Sequence, residues 1–337
     1  MLFAYNLLRM PFKSGFVAII GRPNAGKSTL VNRLVGQKIS IVTNKPQTTR
    51  NRVQGIVNRE EAQIVLIDTP GIHKPENVLS RMMMDELQHT LEGLDILCLI
   101  VDASAKFGKG DEFALQWIKR FKGTTYLILN KIDMVAKHLL LPLIARYNEE
   151  FQFTETFPIS AAKGRGLDDL VASIIARLPE GPKYFPDDQV TDQPERFLAA
   201  EVIREKAIFS TRQEVPHALA VLVDKYEERP KLLRISATIY VEREGQKGIL
   251  IGAGGATLKQ IGTDARKELE SLLGSKIFME LFVKVQANWR QNSQMVKMLD
   301  WHRQLEEMQE RQSPDDEEEF EAGADESEDE EAEADEK

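Results

Sequence analysis

Gly21-Arg22-Pro23-Asn24-Ala25-Gly26-Lys27-Ser28-Thr29 decides how the rest of the chain is read. It fits G-x-x-x-x-G-K-[ST], and its flanks matter more than its letters. Ser14 to Ile20 reads as a short buried strand, and Ser28 to Gly36 as a helix with Leu30, Val31 and Leu34 on one face. Strand, glycine loop and helix in this order make a phosphate cradle, because the loop N–H groups and the helix N-terminus point at an anion. Lys27 can reach the β- and γ-phosphates of a nucleotide, and the Ser28 hydroxyl can ligate Mg²⁺. The plain alternative is a chance glycine loop, and the sequence further along decides against it.

Gln37 to Arg52 is polar and without apolar period, so a loop is expected there. Val53–Asn58 and Ala62–Ile67 then read as paired strands, the second running into Asp68-Thr69-Pro70-Gly71-Ile72. At that strand tip a carboxylate can hold the Mg²⁺ shell and the Gly71 N–H can meet the γ-phosphate. Asp95 to Asp102 is a further buried strand, followed by a helix near Asp111 to Phe121. A strand from Thr124 to Leu129 leads into Asn130-Lys131-Ile132-Asp133, which can choose the base. The Asp133 carboxylate can accept from both N1–H and the exocyclic amine of guanine, a donor pair that adenine lacks. A wrong base would leave that carboxylate unpaired. Lys131 can lie over the ring, Asn130 can tie loops together, and in Ser160-Ala161-Ala162 the backbone N–H of Ala161 or Ala162 can meet the O6 edge. A helix from Leu167 to Leu178 closes this part. Four motifs at the carboxyl ends of strands, where open α/β sheets bind ligands, imply a GTP-binding domain.

The whole chain has 337 residues, 42% hydrophobic and 29% charged, which suits two soluble globular domains with extras. Its net charge of -9 hides an asymmetry, since residues 315–337 hold 15 acids against Lys337. The remainder has 43 Lys and Arg against 38 acids and is mildly basic. The one cysteine, Cys98, sits in an apolar run and reads as a small buried hydrophobe. No apolar stretch approaches the roughly 18 residues that a membrane crossing needs. Met1 to Met10 is a poor signal peptide, and a start at Met10 is the simpler reading.

Pro179 to Pro194 is rich in Pro, Gly and Asp and reads as a linker. Beyond it Arg196–Ser210 has helical spacing, and Ala218–Tyr226 and Leu232–Arg243 alternate as paired strands. Ile251-Gly252-Ala253-Gly254-Gly255 follows, then a helix through Leu273 and a strand from Lys276 to Val285. That order, with its G-x-x-G turn, resembles a type II KH domain. There the turn lets a single-stranded RNA backbone approach, while Lys247 and Lys259 flank it and can meet phosphates. Taken alone, the turn would equally suit a purely structural role.

The strings GRPNAGKSTLVN, NKPQTTRNRVQGI, DTPGIHKP, NKID, SAAKG and GQKGILIGAGGATLKQIG together resemble the Era family of GTPases. The resemblance implies a P-loop GTPase domain of α/β class, with a mixed, mostly parallel sheet and helices on both faces. An α+β type II KH domain and a disordered acidic tail would follow it. The expected divisions are an extension at 1–13, a GTPase domain at 14–180, a linker at 181–195, a KH domain at 196–311 and the tail at 312–337. Helix formation is expected from near Trp289, although Leu299-Asp300-Trp301 departs from the family ending.

Phosphoryl transfer needs positioning and charge more than covalent help. Lys27, Gly71 and Asn24 are the candidate catalytic residues. Ras-like proteins carry a Gln after the D-x-x-G glycine, where this chain has Ile72. The family shares that apolar residue, which implies slow intrinsic hydrolysis or help from elsewhere. By analogy with related GTPases Asn24 would ligate K⁺; its plain alternative is a turn-shaping role. Thr48 or Thr49 would ligate Mg²⁺ with Ser28 and Asp68, and Thr49 is preferred. His73 reads as a surface histidine, not a base. Within the KH turn family members carry Lys or Arg where this chain has Ala253, so weaker phosphate attraction is expected. The tail reads as a solvated segment, with a sharper alternative in which it folds over the basic RNA face.

The resemblance implies a GTP/GDP switch that binds small-subunit ribosomal RNA near its 3′ end and assists maturation of that subunit. It also implies a monomer that is cytoplasmic, with some peripheral association at the inner face of the cell membrane. Two alternatives stand beside it: an RNA-anchoring protein with negligible hydrolysis, and a GTPase of tRNA modification. Turnover measured with and without RNA separates the first, and the KH-like half argues against the second.

Overall fold

The runs rich in Val, Ile and Leu become strands buried on both faces, as parallel sheets require. The computed structural model describes residues 11–43, 45, 48–211, 215 and 218–301. Strands β1 (Lys13–Ile20), β3 (Ala62–Asp68), β4 (Ile96–Asp102), β5 (Thr124–Asn130) and β6 (Glu155–Pro158) are parallel. β2 (Val53–Asn58) is antiparallel at the edge, giving the order β2-β3-β1-β4-β5-β6. Val17 and Ile19 face one core with helices α1 (Lys27–Val35) and α5 (Leu167–Arg177). Ala18 and Ile20 face the other, with α2 (Val78–Thr90), α3 (Lys109–Ile118) and α4 (Leu140–Glu150). β1 pairs with β3 on one side and β4 on the other, so the loop after it leaves the sheet where the strand order reverses. Cys98 is buried in the first core and its thiol is free.

Two of these helices carried no expectation from the sequence. The capping box of α2, Asn77 with Ser80, was visible there, as were Leu79, Met83 and Leu87 at helical spacing. The expected linker is also more than a tether, because it lies along the first domain. Ile56 N–H donates to the Val190 carbonyl at 2.9 Å and Gln54 N–H to Asp192 Oδ1 at 3.1 Å. Buried Gln63 accepts from the N–H groups of Tyr184 and Phe185. Residues 190–192 thereby cover the open edge of β2, which would otherwise offer unpaired backbone groups.

The second domain is a three-stranded sheet, β7 (Ala220–Arg229), β8 (Leu232–Val241) and β9 (Ile277–Val285). β7 is antiparallel and β9 parallel to β8. Against it pack α6 (Glu195–Phe209), α7 (Glu244–Ile251) and α8 (Ala256–Leu273), which share one apolar core. Helix α7 corrects the sequence reading, which ran straight from strand to glycine turn. Gly245 and Gly248 each cost about 1 kcal/mol of helix propensity and hide it. Buried Leu250 and the Gln246 side chain, which accepts from the N–H groups of Glu242 and Arg243, hold it. Instead of one helix from Trp289 there is a single 3₁₀ turn, Trp289–Gln291, and then the short α9 (Ser293–Lys297).

The domains share a seam. Trp289, Met295 and Val296 join the same apolar cluster as Leu79, Met83 and Leu87 of α2. The Trp289 indole N–H donates to the Ala218 carbonyl at 2.8 Å, so its polar edge is satisfied although the ring is fully buried. The readings of residues 1–10 and of the acidic tail lie outside the described residues.

Candidate functional site

The loop between β1 and α1 folds round its lysine. Gly26 starts α1 in left-handed backbone, and Lys27 Nζ donates to the carbonyls of Gly21 and Arg22 at 3.2 and 3.1 Å. Burial lowers the Lys27 ammonium to about 8, with Asp68 partly restoring it. The cavity in front measures about 620 Å³ and is lined by residues of this loop together with Thr48, Thr49, Gly71 and Lys131. Phe209, at the end of α6, also lines it, a contribution from the second domain that sequence periodicity could not show. Gly71 packs against the loop so closely that a Cβ there would come within 3.0 Å of the Pro23 backbone.

The donor set on one wall suits a divalent cation. Asp68 is wholly buried, and its Oδ1 has no hydrogen-bond partner among the described residues. Burial raises its carboxyl, and Lys27 opposes that rise. The hydroxyls of Ser28 and Thr49 are 2.9 Å apart, and Thr49 Oγ1 is 3.5 Å from Asp68 Oδ2. Thr48 turns away, bonding instead to Thr43 Oγ1 and the Lys45 carbonyl at 2.7 Å each. A hard cation with oxygen ligands would therefore meet Ser28, Thr49 and Asp68 together.

On the base side Asn130 is a strut. Its Nδ2 donates to the Ala25 carbonyl and its Oδ1 accepts from the Ala161 N–H, both at 2.9 Å. That contact takes the Ala161 N–H, which leaves Ala162 as the other candidate donor toward O6. Asp133 is fully exposed, and the Ser160 hydroxyl beside it holds its carboxyl below the usual range. Lys131 adopts left-handed backbone, φ 64°, and its ammonium pairs with Asp102 at 2.6 Å.

Several candidates point elsewhere. Arg22 pairs with Asp111 at 2.8 Å, and Thr69 donates to the Ile19 carbonyl at 2.8 Å. Ile72 is buried among the side chains around α2, so the position that holds Gln in Ras-like proteins is core here. Ile132 likewise packs on that cluster. Asn24 is exposed in left-handed backbone, φ 62°, a conformation that asparagine tolerates in turns. His73 Nδ1 sits 2.8 Å from the Gly71 carbonyl and is half-buried.

In the second domain the turn Gly252-Ala253-Gly254-Gly255 joins α7 to α8. Gly252 has φ 71°, and a Cβ there would fall 2.2 Å from Thr257 Oγ1, so only glycine fits. Ala253 and Gly254 are exposed, and Lys247 on α7 is half-buried. A groove of about 390 Å³ runs from Gly255 between α8 and β9, lined by Lys259, Arg266, Met279 and Leu281. Arg266 was missed in the sequence, though its spacing of seven from Lys259 puts both on one helix face.

Loop and second domain are hooked together. Glu205 Oε1 accepts from the Val42 N–H at 3.0 Å, and its other oxygen pairs with Lys38 at 2.5 Å. Arg204 donates to the Thr48 carbonyl, and Asn51 Nδ2 to the Leu299 carbonyl at 2.9 Å. Residues on both sides of Thr49 are thus held by the other domain.

Residues 16–131 match the family model described as 50S ribosome-binding GTPase, and residues 214–290 match the KH domain. A crystal structure of Era in complex with MgGDPNP and nucleotides 1506–1542 of 16S ribosomal RNA is 43% identical. The match covers 86% of this chain and 98% of that one, with a TM-score of 0.83. A point variant of Aquifex aeolicus Era bound to GDP and AlF4⁻ is 42% identical over 86% of this chain and 99% of its own, with a TM-score of 0.82.

Proposed function

The chain belongs to the Era family of GTPases, and we propose that it is a switch in which the γ-phosphate of GTP sets how the KH groove holds small-subunit ribosomal RNA. The observation that carries this reading is the loop from Lys38 to Asn51. Its Thr49 faces Ser28 and Asp68 while its flanks are bonded to α6 and to Leu299. A ligand that needs Thr49 thereby favours one arrangement of the two domains, which is the differential interaction a switch requires.

Within this reading Ser28, Thr49 and Asp68 hold Mg²⁺, which when bound neutralises charge developing on the phosphates. The loop amides and Lys27 cradle the β- and γ-phosphates, and the Gly71 N–H meets the γ-phosphate. Asp133 reads the guanine edge, Asn130 fixes the two loops beside it, and the Ala162 N–H meets O6. Phe209 and Lys131 both line the cavity that would hold the nucleotide. No side chain in the place of Ile72 orients the attacking water, so intrinsic hydrolysis is slow. A K⁺ ion held by Asn24 is the proposed additional charge.

For the KH groove, Lys259 and Arg266 meet RNA phosphates while the glycine turn allows close approach of the strand. The RNA is proposed to be that of the small ribosomal subunit, as in the Era complex, and the role to be maturation of that subunit. On family grounds we infer a cytoplasmic monomer with a peripheral fraction at the inner membrane face. No helix among the described residues is long and apolar enough to cross a membrane. Turnover of GTP and ATP, with and without a fragment of that RNA, tests the reading. GTP-selective turnover that changes with RNA is expected; equal use of both nucleotides, or indifference to RNA, would refute it.

A further inference from the structure

The domain seam encloses a cavity of about 400 Å³ that neither the nucleotide site nor the RNA groove uses. Two guanidinium groups line it, Arg50 from the loop and Arg204 from α6, only 5% and 2% exposed. Arg204 directs Nε and Nη2 to Glu201 and the Thr48 carbonyl, but its Nη1 meets no acceptor among the described residues. Arg50 Nε meets none either. A buried guanidinium N–H without an acceptor is costly, and the usual remedies are an anion or water.

The Arg50 guanidinium lies 5.3 Å over the Trp289 ring, which softens the penalty without neutralising the charge. Glu201 is already committed to Arg204. Of the other charged groups on the walls, Arg196 is engaged with the Val223 carbonyl and Asp224 with the Thr238 hydroxyl. We propose that the cavity is a binding site for an oxyanion, phosphate or carboxylate, that bridges Arg50 and Arg204 and so fastens the loop to the second domain. Guanidinium forks suit both groups, since each can offer parallel N–H donors to two oxygens.

The position of the site gives it a consequence. Arg50 adjoins Thr49, so an anion here holds the loop in the arrangement that brings Thr49 to Ser28 and Asp68. By linkage, the anion and a GTP analogue raise each other's affinity. This coupling rests on the nucleotide reading above, whereas the site itself rests only on the buried arginines.

Two sources share this chemistry: a free anion, and the chain's own carboxylates beyond Trp301, which include 15 acids in residues 315–337. Trp301 itself lines the cavity, so the continuing chain starts beside it. The test is calorimetric titration of inorganic phosphate, at constant ionic strength, into the full chain loaded with Mg²⁺ and a non-hydrolysable GTP analogue. Loading fills the phosphate loop, and heat of binding is read, so the outcome does not depend on turnover. A parallel full chain carries Gln or Asn in place of every Glu and Asp beyond Trp301.

Phosphate should bind with a Kd on the order of 1 mM or tighter. Arg50→Met should weaken it about tenfold or more, with Arg50→Gln as the second variant should the first not fold. Tighter binding in the neutralised-tail chain than in the natural one would name the tail as occupant, and equal binding would name a free anion. Either result supports the site. Absence of phosphate binding in both chains, or undiminished binding in the Arg50 variants, would overturn it.

Discussion

Replacing Glu205 by Gln tests the hook between loop and second domain. The Glu205 side chain is 3% exposed and holds Lys38 at 2.5 Å, Lys206 at 3.0 Å and the Val42 N–H at 3.0 Å. Removing one charge from a buried pair costs about 3–5 kcal/mol when the partner is stranded. Neither lysine is stranded here. Both also pair with Glu268, and they are 26% and 17% exposed, so solvent takes up much of the loss. Glutamine also keeps an acceptor for Val42. A cost of about 1–2 kcal/mol remains, set against the docked loop, which corresponds to roughly 5–30-fold in its population. The assay is equilibrium binding of a GTP analogue and of GDP to both proteins with Mg²⁺ present, with thermal melting as a check on folding. The GTP analogue, which in the proposed switch engages Thr49 through Mg²⁺, should bind about 5–30-fold more weakly to the variant. GDP should change by less than about twofold. Equal weakening of both nucleotides, or no change in either, would refute the reasoning that docking presents Thr49.

Four further outcomes follow from particular residues. Asp133→Asn should lower GTP affinity by about 100-fold or more, and xanthosine triphosphate should bind the variant better than GTP does, because an amide presents one donor where the carboxylate had none; competition binding reads this. Ala253→Lys should tighten RNA binding and steepen the logarithmic salt slope by about one unit, measured as Kd against salt concentration. GTP turnover should run several-fold faster in K⁺ than in Na⁺, and Asn24→Ala should abolish the difference. Asp192 is raised to about 6, chiefly by burial, with the Gln54 N–H and Arg52 opposing. Its native form therefore binds the proton more tightly than the unfolded chain does, so this group makes the protein less stable as pH rises from about 4 to 6, by at most about 3 kcal/mol. In denaturant melts, the stability of Asp192→Asn relative to the natural protein should rise as pH goes from about 4 to 6.

Local pattern carried the fold a long way, and its failures have physical causes. The first three motifs of the first domain follow β1, β3 and β5, whose residues are mostly buried on both faces, a pattern that short apolar runs reveal directly. By contrast β6, before Ser160, is partly exposed. Helix α7 stayed hidden because two glycines break its propensity while capping and one buried leucine restore it. The choice between Thr48 and Thr49 could not be made from their identity, since both are threonines in a loop without period. The structure separates them by what each hydroxyl meets, Thr43 and Lys45 for one and Ser28 for the other. Nothing in the sequence sets Arg50 and Arg204 apart from surface cations. Their burial comes from a contact across 156 positions, Arg204 to the Thr48 carbonyl, which no window of sequence contains. Phe209 in the nucleotide cavity is legible only in three dimensions for the same reason.

The central claim is that the γ-phosphate changes how the KH groove holds RNA. Its most direct measurement is the affinity for a single-stranded fragment of small-subunit ribosomal RNA, at one salt concentration, with the protein saturated by MgGDP or by a magnesium-bound GTP analogue. A ratio of about fivefold or more between the two states, reduced by Glu205→Gln, is predicted. Identical affinities in the two states would contradict the account.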